Sequence, residues 1–106
     1  MSKISLNGIF PPLPTSFDKD ENLILEKIRF NIRILGHFDL SGFMILGSNG
    51  EQVMLSEKEK SEAVATAKEA LTEEKLLLAG TGGQSTRETI GLTKAAAEAG
   101  ADAVLV

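Results

Sequence analysis

The sequence predicts an α/β fold in which parallel strands alternate with helices. Three observations predict it. Short, continuous apolar runs occur at "GFMIL" (Gly42–Leu46) and "LLLAG" (Leu76–Gly80), as in strands covered on both faces, and "ADAVLV" (Ala101–Val106) begins a further strand. Between them, apolar residues recur at three- and four-residue spacing, the period of an amphipathic helix. The later units repeat at about 30 residues, the size of one βα unit.

The elements follow in order. "GIFPPLPTSF" (Gly8–Phe17) is apolar but carries three prolines. Proline cannot donate to a ladder, so a short strand is expected to end near Phe10 and continue as a rigid extended segment. "DKDEN" (Asp18–Asn22) reads as a polar turn. Leu25, Ile28, Ile32 and Leu35 predict a first helix, ended by Gly36 or carried one turn further by His37 and Phe38. The second strand is Gly42–Leu46. Ser56-Glu57-Lys58-Glu59 has the S-x-x-E form of a capping box, and Ala63, Val64, Ala67 and Leu71 supply the inward stripe behind it. After the third strand, Ser85-Thr86-Arg87-Glu88 reads as a second capping box. It opens a helix with Ile90, Thr93 and Ala97 inward, closed by Gly100 in the C′ position. "ADAVLV" begins a fourth strand.

The predicted order is therefore βαβαβαβ, with right-handed crossovers and strands in the spatial order 1-2-3-4. Residues 1–106 read as one domain. The pattern fits an open doubly wound sheet or part of a (β/α)₈ barrel. An apolar final strand, Val104-Leu105-Val106, would expose an unpaired edge. Barrels need about 200 or more residues, so the chain is expected to be the N-terminal part of a longer protein.

Composition narrows the function. The net charge is −4 and the pI about 5.0, and Lys and Arg are not clustered, which argues against a nucleic-acid partner. There is no Cys, hence no disulfide framework or thiolate metal site. No run approaches the roughly 20 apolar residues of a membrane span, and "MSKISLNGIF" lacks the apolar core of a signal peptide. The chain reads as soluble and cytoplasmic, without a membrane partner.

The stretch of most interest is "GSNGE" (Gly47–Glu51), at the C-terminal end of the second strand, where α/β folds bind ligands. Gly50 accepts φ > 0 and Asn49 tolerates it. Gly47, Ser48, Asn49 and Gly50 could converge their backbone N–H groups into an anion nest, with the Ser48 hydroxyl and Asn49 amide as further donors for a carboxylate or phosphate. The same residues equally suit an ordinary βα turn. Glu51 is read as structural. "AGTGGQST" (Ala79–Thr86) is neither a P-loop, because no Gly-Lys-Ser/Thr follows, nor a dinucleotide fingerprint, because the third glycine position falls on Ser85. It reads as a loop with an N-cap. His37, the only histidine, is placed at a helix C-terminus rather than in catalysis. Asp18, Asp20 and Glu21 read as a solvated turn, so no metal is expected.

Taken together, "GIFPPLPTSFD", "SGFMILGSNGE", "LSEKEK", "LLLAGTGGQST" and "AAEAGADAVLV" resemble the dihydrodipicolinate synthase / N-acetylneuraminate lyase family of (β/α)₈ class I aldolases. "GSNGE" with "LLLAG" is similar to its 4-hydroxy-2-oxoglutarate aldolases. The resemblance implies a (β/α)₈ barrel, of which residues 1–106 would be the N-terminal half cut after strand four, and a lysine that forms a Schiff base with pyruvate or another 2-oxo acid, whose enamine carbon joins or leaves an aldehyde. It implies no cofactor and a homo-oligomer, dimer or tetramer. By that match Ser48 and Asn49, with the Gly47 and Gly50 backbone, hold the substrate carboxylate. Ser48 keeps the hydroxyl of a tyrosine proton relay, whereas Asn49 replaces the commoner Thr or Ser with an amide. The family's tyrosines and Schiff-base lysine would lie beyond Val106, because Lys27, Lys58, Lys60, Lys68 and Lys94 read as helical and solvated and Lys3, Lys19 and Lys75 as connecting residues. This chain alone would then be inactive. Family members inhibited by lysine use a region that here includes Gln52, Glu57, Gln84 and Glu88. Glu88 is read first as a cap. A non-catalytic carboxylate- or phosphate-binding module and an inactive, self-associating half barrel remain the alternatives.

Overall fold

The computed structural model describes residues 8–13, 17–20, 23–47, 55–72 and 74–106. Their elements are α1 (Leu25–Leu35), β1 (Gly42–Ile45), α2 (Glu57–Ala70), β2 (Leu76–Gly80), α3 (Thr86–Ala99) and β3 (Ala103–Leu105). The strands form one parallel sheet in the order β1-β2-β3. In place of the first predicted strand there is a parallel bridge, Pro12 to Met44, so the pairing runs past Phe10, where the strand was expected to end. Ser41 N donates to Ile9 O (3.0 Å), Met44 N to Pro11 O (3.1 Å) and Leu13 N to Met44 O (2.8 Å), which seats the segment along the outer side of β1. Pro11 and Pro12 have no N–H to return, so pairing stops short of a regular strand. The spatial order of the four segments is the predicted one.

Helix termini follow their local chemistry. Ser56 caps α2 reciprocally: its Oγ accepts from Glu59 N (3.2 Å), and Glu59 Oε1 accepts from Ser56 N (2.9 Å). α3 keeps half of the predicted box. Ser85 Oγ accepts from Glu88 N (3.0 Å), but the Glu88 carboxylate accepts from Gln84 N (3.1 Å), one residue earlier than a box requires. Gly100 ends α3 at φ 119°, the left-handed stop that glycine takes without a steric penalty. α1 ends at Gly36, and two tighter bonds, His37 N to Ile34 O and Phe38 N to Leu35 O, prolong it as a turn.

The three helices cover one face of the sheet. Phe43, Leu77 and Ala79 are fully buried there with Ile45, against Ile28 and Ile32 of α1, Ala63, Val64 and Ala67 of α2, and Ala96 of α3. On the opposite face Met44, Leu78 and Ala103 lie in register, all half-buried. That row has the form of one layer of a barrel interior. Among the described residues helices cover only one face, as in a barrel rather than a doubly wound sheet.

The α3 stripe also departs from expectation. Ile90 is 50% exposed and Ala97 is exposed, whereas Leu92 and Ala96 are buried. In so alanine-rich a helix both sets have helical spacing, so periodicity could not choose. The Thr93 hydroxyl, bonded to that of the buried Thr81 at 2.9 Å, goes with the Leu92–Ala96 side turned to the sheet.

Candidate active site

Because the strands are parallel, their C-terminal ends share one edge, formed by Gly47 after β1, Thr81 after β2 and Val106 after β3. Gly47 is half-buried, and a Cβ there would lie 2.9 Å from Met44 Cε. Ser48, Asn49 and Gly50, together with Glu51 and Gln52, lie outside the described residues. The strand end that leads into the predicted carboxylate loop thus lies on this shared edge, while the loop's donors lie outside the described residues.

The predicted strand ran to Leu46, but β1 ends at Ile45. Leu46 takes φ 61°, a region leucine rarely enters. Nothing in "GFMILG" announced this.

The neighbouring glycine-rich loop is occupied by its own chain. Thr81 N donates to Leu105 O (3.0 Å). Gly83 N donates to Thr89 Oγ1 (3.0 Å) and Gln84 N to Glu88 Oε2 (3.1 Å). A phosphate cradle needs such amides free, so the reading of "AGTGGQST" as a loop with an N-cap stands.

Glu57, Gln84 and Glu88 do come together, in an open cleft also lined by Ser56, Lys60, Gly82 and Gly83. The Glu88 carboxylate is engaged by Gln84 N rather than by the Ser85 amide that the predicted capping box would use. Lys60 was read as solvated and is half-buried in this cleft.

Of the other lysines, Lys27 lies in α1, Lys58 and Lys68 in α2 and Lys94 in α3. Lys75 precedes β2, and its Nζ donates to Leu40 O at 2.7 Å, at the opposite end of the sheet. Lys19 sits in the polar turn, and Lys3 lies outside the described residues. None of the described lysines is on a strand's C-terminal end.

His37 is exposed beyond the end of α1. Asp18 Oδ1 accepts from Asp20 N (2.8 Å), the bond of an Asx turn, and Glu21 lies outside the described residues.

Comparison with known proteins agrees with this geometry. The model of the dihydrodipicolinate synthetase family matches residues 5–106. A 4-hydroxy-tetrahydrodipicolinate synthase of Haloarcula marismortui is 34% identical over the whole of this chain and 34% of its own length. A dihydrodipicolinate synthase family protein of Coccidioides immitis superposes with a TM-score of 0.88 at 36% identity, covering 93% of this chain and 33% of that one. The N-acetylneuraminate lyase of Mycoplasma synoviae superposes at 0.81 with 33% identity, covering 92% and 34%. The chain spans about a third of the length of the relatives it matches, and its fold is the N-terminal part of a (β/α)₈ barrel. The family match over residues 5–106 and the strand-end placement of Gly47 lead to one conclusion: this chain belongs to the dihydrodipicolinate synthetase family.

Proposed function

We propose that the protein of which this sequence forms the barrel's first half is a class I aldolase or lyase acting on pyruvate or another 2-oxo acid. The observation that carries the reading is the position of "GSNGE" in the sequence, one residue after the end of β1, in a chain that the family model matches over residues 5–106. In this reading the carboxylate is held by Ser48 and Asn49 with the Gly47 and Gly50 backbone, through charge-assisted hydrogen bonds. A lysine beyond Val106 adds its amine to the keto carbon, and water leaves. The iminium loses a proton from the adjacent carbon, and the enamine attacks an aldehyde carbonyl, or the reverse sequence releases one. Ser48 passes protons through its hydroxyl.

The relatives' names support a synthase or a lyase. The "GSNGE" and "LLLAG" wording favours 4-hydroxy-2-oxoglutarate among the aldolase substrates. Cytoplasmic location and assembly as a homodimer or homotetramer belong to the same reading. Among the described residues no helix is long and apolar enough to cross a membrane.

Pyruvate and borohydride test the reading. Hydride reduces the iminium to a secondary amine, so mass spectrometry of the barrel-length protein should show one stoichiometric adduct. The 106-residue chain should show none. A stoichiometric adduct on a lysine between Met1 and Val106 would overturn the placement of the nucleophile. No adduct on the barrel-length protein would overturn the chemistry.

A further inference from the structure

Among the described residues Leu46 is the only non-glycine with positive φ, and it stands directly before Gly47. An L-residue meets its own Cβ in that region, so something must hold it there. Two features do. The first is Gly80 at the end of β2. A Cβ at Gly80 would fall on the Leu46 carbonyl oxygen, 2.9 Å from the carbonyl carbon and 3.3 Å from Gly47 N. The Leu46 peptide therefore occupies the place of the missing side chain.

The second feature is the Leu46 side chain. Strand alternation would send it to the Met44 face. It is instead 3% exposed and lines a small cavity with Val64 of α2 and Leu92 and Ala96 of α3, on the helix side where Ile45 also lies. The backbone thus changes face within one residue. A buried leucine anchors the change on one side, and a glycine accommodates its carbonyl on the other.

We infer that Leu46 and Gly80 form a backbone latch that sets the direction in which the chain leaves β1, making both positioning residues for substrate carboxylate binding. The inference rests on the pyruvate reading above. It assigns no contact with substrate to either residue. Their effect passes through Gly47 to the segment that follows.

The test uses the barrel-length protein and the pair Leu46→Ile and Leu46→Gly. Isoleucine keeps the buried volume but, being β-branched, resists positive φ. Glycine loses the buried side chain but accepts that φ freely. The latch predicts that Leu46→Ile raises the pyruvate KM roughly tenfold, with kcat changed much less. Leu46→Gly should lower the melting temperature yet hold KM within about twofold. Packing alone predicts the reverse order, with Gly the more damaging in both readouts, and that result would overturn the inference. Loss of folding in Leu46→Ile alone supports the latch, whereas loss in both variants shows a packing role and overturns it. If the wild type traps no pyruvate, the functional reading fails by itself. The latch is then decided by the NMR shift of the Gly47 amide, which should stay near wild type in Leu46→Gly and move in Leu46→Ile.

Discussion

The two ends of the sheet are built by different means. At the N-terminal ends of the strands, side chains stitch backbone to backbone. The Asp102 carboxylate accepts from Leu77 N (2.8 Å), while Asp102 N donates to Leu77 O (2.8 Å). Lys68 Nζ closes on the same carboxylate at 3.2 Å. Lys75 Nζ donates to Leu40 O and Phe38 O, and Leu76 N donates to Ser41 O (3.0 Å). At the C-terminal ends the chain relies on glycine at positions 47, 80, 82 and 83 and on the positive φ of Leu46. Gly80 lets the Leu46 peptide come close there, and Gly82 faces the Val106 backbone. In (β/α)₈ proteins the first end carries stability and the second carries chemistry. In this chain charged side chains bind backbone groups at the first end, and glycines are concentrated at the second.

The largest effect expected at the stabilising end is at Gly42. A Cβ there would fall on the Leu76 carbonyl oxygen and lie 2.8 Å from Leu76 N, so β1 and β2 would have to separate. Gly42→Ala should cost about 3 kcal/mol in urea unfolding. The protein that remains folded should keep its kcat. A loss of kcat out of proportion to stability would break the division between the two ends.

Asp102 ranks next. Asp102→Ala leaves the Leu77 amide without its side-chain acceptor and should cost about 2 kcal/mol. Asp102→Asn keeps an acceptor for that amide and should recover most of the loss. The Lys68 ion pair, with the lysine side chain 42% exposed, is worth about 1 kcal/mol or less. If Asn were as costly as Ala, the ion pair rather than the amide bond would hold this end together.

The smallest effect concerns Glu74, in the same connection as Lys75. Its own backbone N–H, the Thr72 hydroxyl and the nearby Lys75 charge hold its carboxyl below the usual glutamate range. A carboxyl depressed in the folded state adds stability that is present above its unfolded pKa and is lost as pH falls through the lowered value. An NMR titration of the Glu74 carboxyl should show the depression, and Thr72→Ala should reduce it. The group is fully exposed, so global stability should scarcely register the change. A normal titration would mean that the local network at this end stops at Lys75.

Much of the fold was legible in the sequence because its signals are local. Ser56 and Glu59 lie three residues apart and cap each other whatever surrounds them. The apolar runs at Gly42–Ile45 and Leu76–Gly80 become strands because a continuous apolar run of that length suits a buried parallel sheet. The family resemblance was also present in the order of five short segments.

Tertiary structure decided what local chemistry leaves degenerate. Ile90 and Leu92 are both apolar and both at helical spacing within α3, and only packing against α2 and the sheet selects Leu92 for burial. Glu88 lies three residues after Ser85, as in a capping box, yet its carboxylate reaches Gln84. Leu46 gives no sign of positive φ, because that conformation depends on Gly80, which is distant in sequence and adjacent only once β1 and β2 pair. The sequence alone determined the order of elements and the strand end that carries Gly47. How the chain turns at that edge depends on steric contact between residues that only the folded sheet brings together.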